Sequence, residues 1–207
     1  MFENLVNSIT DIVTQTQAHL VFLLGVLGLL LAIHILNTLL NRRLLMLGIY
    51  PRHPIGLMGI ICAPFLHGNF NHLFFNCIPL FVLLDFMLIS CPNAWATATC
   101  SIFLISGLLT WLFGRKAMHV GASSVITGYW GFLVFFMIHE PNAMSLILGI
   151  LCVYYFAGIF FGILPMKEST SWEGHLFGLV AGVATAWAMT LPAFYPYFNF
   201  FHQITHT

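Results

Sequence analysis

Residues 117–139 read AMHVGASSVITGYWGFLVFFMIH, a run without a single charge between Lys116 and Glu140. It is longer than the ~20 residues a helix needs to cross a bilayer, and its interior is apolar with small residues set into it. Five more charge-free runs of at least that length, 12–41, 53–84, 86–114, 141–166 and 174–207, make up most of the remaining chain. The 207 residues are 60% hydrophobic and 6% charged, with a mean hydropathy of +0.96. Soluble domains carry roughly 25% charged residues, so that class is excluded. Six basic and six acidic residues cancel, which leaves no basic surface for nucleic acid.

The runs are rich in Leu, Phe, Ile and Gly and lack the alternation of a barrel strand. They predict an all-α membrane protein with six transmembrane helices, near 19–40, 72–90, 94–113, 121–138, 144–164 and 173–191. Residues 19–191 thus form one six-helix domain. Residues 1–18 lack Lys and Arg, so no cleaved signal peptide is expected. Phe2, Leu5, Ile9, Ile12 and Val13 instead fall at helical spacing, which predicts a short amphipathic helix on the membrane surface. The tail at 192–207, with Phe194, Tyr195, Tyr197, Phe198, Phe200 and Phe201, reads as an aromatic interfacial anchor. Cys62, Cys77, Cys91, Cys100 and Cys152 show no metal-type spacing and are read as packing thiols without a disulfide framework.

With six spans, the first, third and fifth connections (41–71, 114–120 and 165–172) share one side. The first is long, apolar and punctuated by Pro51, Pro54, Gly56 and Gly59. It is expected to lie in the interface or partly re-enter the membrane, where irregular backbone survives only against protein. Polar residues of chemical interest gather at that same face. His67, His72 and Asn76 begin span 2, Ser123 and Ser124 open span 4, and His175 opens span 6. Intramembrane polar groups are costly, so such a cluster points to function.

Gly121, Ser124, Gly128 and Gly131 form a small-residue stripe on one helix face, and Gly174, Gly178 and Gly182 form another. Such stripes let helix backbones approach closely in lipid. Pairing the two would bring Ser123 and His175 together at one end. A serine hydroxyl becomes a good nucleophile when a base within hydrogen-bond reach takes its proton, and His is the usual base. Glu173, two residues before His175, points elsewhere on a helix, and Asp85 belongs near the far end of its span. A dyad is therefore expected. His72 and Asn76 lie one turn apart on one face and can both donate toward an oxyanion, beside the Ser123 backbone N–H.

His67-Gly68-Asn69-Phe70-Asn71-His72-Leu73-Phe74-Phe75-Asn76 resembles the H-x4-H-x3-N motif of rhomboid proteases. Gly121-Ala122-Ser123-Ser124 resembles their G-x-S-G motif, and Gly174-His175 followed by Gly178 and Gly182 resembles their final-span motif. Gly48-Ile49-Tyr50-Pro51-Arg52 and Ala63-Pro64-Phe65-Leu66-His67 are similar to rhomboid first-loop sequence. The resemblance covers about residues 19–191 and implies a six-helix rhomboid-like bundle with a long interfacial first loop. It implies an intramembrane serine protease that cuts transmembrane segments of membrane-protein substrates, without a cofactor or metal. Ser123 would be the nucleophile and His175 the general base. His72, Asn76 and the Ser123 amide would form the oxyanion hole, and His67 a supporting hydrogen bond. Span 5 and the 165–172 loop would match a substrate gate.

Ser124 stands where the family usually has Gly, leaving two adjacent hydroxyls, of which Ser123 matches the nucleophile. Thr127 replaces an aromatic residue that often stacks on the catalytic His, so that support is absent or comes from Trp172 or Tyr129. Gly174 replaces a frequent Ala. The resemblance implies a multi-pass protein of a bacterial inner membrane with its site opening outward. The positive-inside rule points the other way, since the Lys and Arg residues lie near the first, third and fifth loops. The two conflict; Arg42, Arg43, Arg115 and Lys116 lie where they can snorkel to lipid phosphates, and the expected orientation follows the resemblance. One alternative is an inactive rhomboid-like protein that binds transmembrane clients. Another is a metal, haem or transport protein using His67, His72 and His175, which lacks a Cys or carboxylate partner and any H-E-x-x-H motif. The other histidines, His119 included, are read as interfacial or locally bonded. Asp85 is expected to reach the interface or a polar partner.

Overall fold

The computed structural model describes residues 2–139, 141–156, 158 and 171–194. Its first helix, α1 (Phe2–Leu39), carries the expected surface segment and the first span as one rod. No Gly or Pro interrupts residues 2–24. The Thr10 and Thr14 hydroxyls bond carbonyls one turn back and so do not compete with the helix. The expected boundary at 18/19 therefore carries no break. Thr16 and His19, just short of that boundary and just past it, both bond Asp85.

The chain leaves α1 through Asn41 and Arg42, both left-handed at φ 52° and 62°. The buried Asn37 side chain accepts from the Leu44 amide at 3.1 Å and closes the turn. A 3-10 turn (Arg43–Leu47) leads to the short helix α2 (Ile55–Cys62). The long first connection is docked against protein at several points, with Gly48, Ile49, Pro51, Gly56, Gly59 and Ala63 buried. Ile49 pairs with His119 in an isolated antiparallel bridge. Arg52 donates from its backbone to Trp111 O and from its side chain to Leu112 O, both at 2.9 Å. Those carbonyls lie in the last turn of the helix Trp95–Phe113, where a cation is electrostatically favoured.

Five longer helices follow: α3 (Phe70–Ser90), α4 (Trp95–Phe113), α5 (Ser123–His139), α6 (Ala143–Phe156) and α7 (Trp172–Met189). A helix thus stands at each of the six expected places, with α2 inside the first connection. Among the described residues, three helices are long and apolar enough to be membrane spans: Val6–Leu39 within α1, α3 and α4. Helices α5 and α6 are apolar but shorter. Every residue of α5 from Val125 to Leu133 is buried, as expected of a helix apolar on all sides. It is the central post, packed on α3, α4, α6 and α7. Val21 on α1 and Phe75 on α3 belong to the apolar exterior. All five cysteines are free thiols. The tail aromatics from Tyr195 onward and residues 159–170, which include most of the expected gate loop, lie outside the described residues.

Candidate active site

The site begins with the cap of α3. Asn69 is extended at φ −156°, and its side chain accepts from the His72 amide at 2.8 Å, the arrangement that favours Asn at this position. The cap starts the helix so that His72 and Asn76 lie one turn apart on the face toward α5. His67, in the connection ahead of α3, folds back beneath them. Its ring meets that of His72 edge-on at 5.1 Å, and its Nε2 lies 3.0 Å from Asn76 Nδ2. The amide nitrogen can only donate, so Nε2 accepts and the ring proton sits on Nδ1. Burial, then the like charge that His72 would carry, pushes His67 down to about 4. It is neutral at physiological pH and keeps an acceptor for Asn76.

The second part is the turn ahead of α5. Gly121 adopts φ +115°, and its amide donates to Ala63 O at 2.9 Å. A Cβ there would lie 2.6 Å from His72 Nε2 and 3.3 Å from Asn76 Nδ2. The missing side chain lets both donors close on the turn, two residues before Ser123. Only glycine combines that φ with that approach.

The third part is the start of α7. A Cβ on Gly178 would collide with Ser124 O and Thr127 Oγ1, and one on Gly182 with Gly128 O. The two small-residue stripes are therefore in backbone contact, which sets His175, one turn before Gly178, beside the start of α5. An open cavity of about 490 Å³ results, lined by Ser123, His72, His175, Asn69, His119 and Ser171 among others. Ser124 is absent from that lining. It faces a smaller space of about 20 Å³, which Ser123 also borders. Asn76 and His67 stand behind the cavity, at 8% and 1% exposure.

The two carboxylates near the motifs are engaged elsewhere. Buried Glu173 pairs with Arg115, Oε1 to Nε at 3.3 Å, and also accepts the Arg115 amide. Asp85, at the opposite end of α3, accepts from Thr16 at 2.6 Å and pairs with His19 at 2.8 Å. Tyr129 is buried, and its hydroxyl meets Thr99 of α4 at 3.0 Å. Thr127 bonds the Ser123 and Ser124 carbonyls within its own helix. Sequence reasoning passed over His119 and Ser171, which the structure joins at 2.5 Å on the wall of the cavity. The available signal was position: His119 sits two residues before Gly121, and Ser171 four before His175.

An all-helical integral membrane bundle with a Ser/His-lined cavity among three helix starts defines the class. Residues 55–192 match the Rhomboid domain family. The chain belongs to the rhomboid family. It is 35% identical over 179 residues to Uncharacterized protein Rv1337 of Mycobacterium tuberculosis, which spans 82% of this chain and 75% of that protein. Uncharacterized protein Mb1372 of Mycobacterium bovis matches to the same extent, 35% over 179 residues. Uncharacterized protein ML1171 of Mycobacterium leprae is 31% identical over 145 residues, 66% of this chain and 57% of that one.

Proposed function

We propose that the chain is an intramembrane serine endopeptidase that cleaves transmembrane segments of other membrane proteins with a Ser123–His175 dyad. The observation that carries this reading is that Ser123, His175 and His72 line one cavity while Ser124 does not. His175 takes the Ser123 proton as Oγ attacks the scissile carbonyl, then returns it to the leaving amine, and water releases the acyl group. His72, Asn76 and the Ser123 amide donate to the developing oxyanion. His67 holds the Asn76 amide with its nitrogen toward Gly121. Substrates enter from lipid past α6 and the 165–172 loop. The preferred client has small residues at the cut and a helix-destabilising Gly or Pro nearby, because an intact helix hides its carbonyls. The protein sits in a bacterial inner membrane with the cavity outward, and a reporter fused after Thr207 that reads out as external would count against that orientation.

The test is fluorophosphonate labelling of detergent-purified protein, with mass mapping of the modified serine. Label on Ser123 that is lost in Ser123→Ala and His175→Ala, and kept in Ser124→Ala, is the expected result. Label on Ser124 would move the site by one residue. A folded protein that takes no label, yet binds transmembrane clients, would replace the protease reading with that of a client binder.

A further inference from the structure

We infer that His119 and Ser171 are positioning residues, whose hydrogen bond across the cavity wall sets the separation of Ser123 and His175. The inference rests on the proposed dyad. Its geometry fixes the direction of each bond. His119 Nε2 lies 3.0 Å from the Arg115 carbonyl oxygen, which only accepts, so Nε2 carries the ring proton. Nδ1 is then the acceptor, and the Ser171 hydroxyl donates to it at 2.5 Å.

Both ends of this bond are anchored to the residues that matter. The His119 main chain is pinned on both sides by Ile49, amide to carbonyl at 2.9 and 3.0 Å, and the side chain is only 5% exposed. Two residues on comes Gly121 and the turn that delivers Ser123. At the other end, the Ser171 carbonyl accepts the His175 amide at 3.3 Å and opens the first turn of α7. The bond therefore links the lead-in to the nucleophile with the lead-in to the base.

A polar tie is needed at this place. The α5–α7 contact is built from Gly128, Gly178 and Gly182 meeting backbone, and such a surface gives closeness but few knobs to resist sliding. The neighbouring Arg115–Glu173 pair joins the same two segments. It keeps them together when the first tie is cut, so variants at His119 and Ser171 are expected to fold.

The experiment compares Ser171→Ala, Ser171→Thr, His119→Leu and His119→Asn, the last keeping an acceptor near the place of Nδ1. The readouts are the labelling rate of Ser123, kcat and KM on a single-span substrate, and the thermal midpoint in detergent. Ser171→Ala and His119→Leu should lower both labelling rate and kcat about tenfold, with KM little changed. Ser171→Thr and His119→Asn should recover most of that loss. Wild-type labelling in Ser171→Ala would overturn the inference, as would a rise in KM at unchanged kcat or no recovery in Ser171→Thr. Wild-type protein that never labels at Ser123 would instead overturn the dyad beneath it.

Discussion

Asn76 donates to His67 across 3.0 Å, and this bond decides which end of the Asn76 amide faces Gly121. One amide proton goes to His67 Nε2, leaving the other for the cavity side. His67→Gln, whose Oε1 falls near the place of Nε2, should retain most activity, whereas His67→Ala should lose about tenfold in kcat. The same bond requires a neutral ring, held down to about 4 against an ordinary value of about 6.5. The folded chain takes up this proton less readily than the unfolded one. His67 therefore contributes stability in full above about pH 6.5, loses it progressively as pH falls, and has lost it below about 4. The whole effect is worth about 3 kcal/mol. Unfolding midpoints in detergent for wild type and His67→Gln should diverge in this window; parallel curves would refute it.

Gly121 is asked for two things at once, a φ of +115° and open space toward His72 Nε2. Gly121→Ala meets a backbone cost of about 1–3 kcal/mol and drives a methyl into the imidazole. Activity should fall more than stability does, because the displaced groups are His72 and Asn76. Cleavage or labelling at wild-type rates in Gly121→Ala would show that these side chains do not act at the turn.

The helices, and the placing of Ser123 and His175 on one cavity, were legible because they rest on charge-free runs and on small residues three or four places apart. What escaped were bonds between residues far apart in the chain. Nothing in the local pattern around His119 says that it meets Ser171, and Thr16, His19 and Asp85 carry no shared spacing. The continuity of α1 was hidden for a related reason. Its polar 14–19 stretch looks like an interfacial segment until Asp85 is seen to hold it against α3. Ser123 was preferred to Ser124 by its place in the motif, and the cavity lining takes in Ser123 and not Ser124.

Asp85 lies 3% exposed at the end of α3 remote from the cavity, bonded to Thr16 and His19. Asp85→Ala strands both partners, at a cost of about 1–3 kcal/mol. Asp85→Asn can still accept from Thr16 and donate to His19, so it should be the milder change. A double-mutant cycle of Asp85→Ala with His19→Ala should give a coupling of about 1 kcal/mol or more. Additive losses would mean that the pair does not fasten α1 to α3.

The α5–α7 contact admits a test with its own control. At Gly182 a Cβ would strike the Gly128 carbonyl, a backbone atom that cannot swing aside, so the helices must part. Overpacking of this kind costs about 1–3 kcal/mol, and more where no side chain can yield. Because Gly182 is on the face that carries His175, Gly182→Ala should lower both the thermal midpoint and the labelling rate of Ser123. Gly28 on α1 has nothing within 4 Å of its would-be Cβ. There Gly28→Ala meets no obstacle and gains helix propensity of up to about 1 kcal/mol, so stability should hold or rise and labelling should be unchanged. Equal behaviour of the two variants would mean that close backbone contact between α5 and α7 is not what brings Ser123 and His175 together.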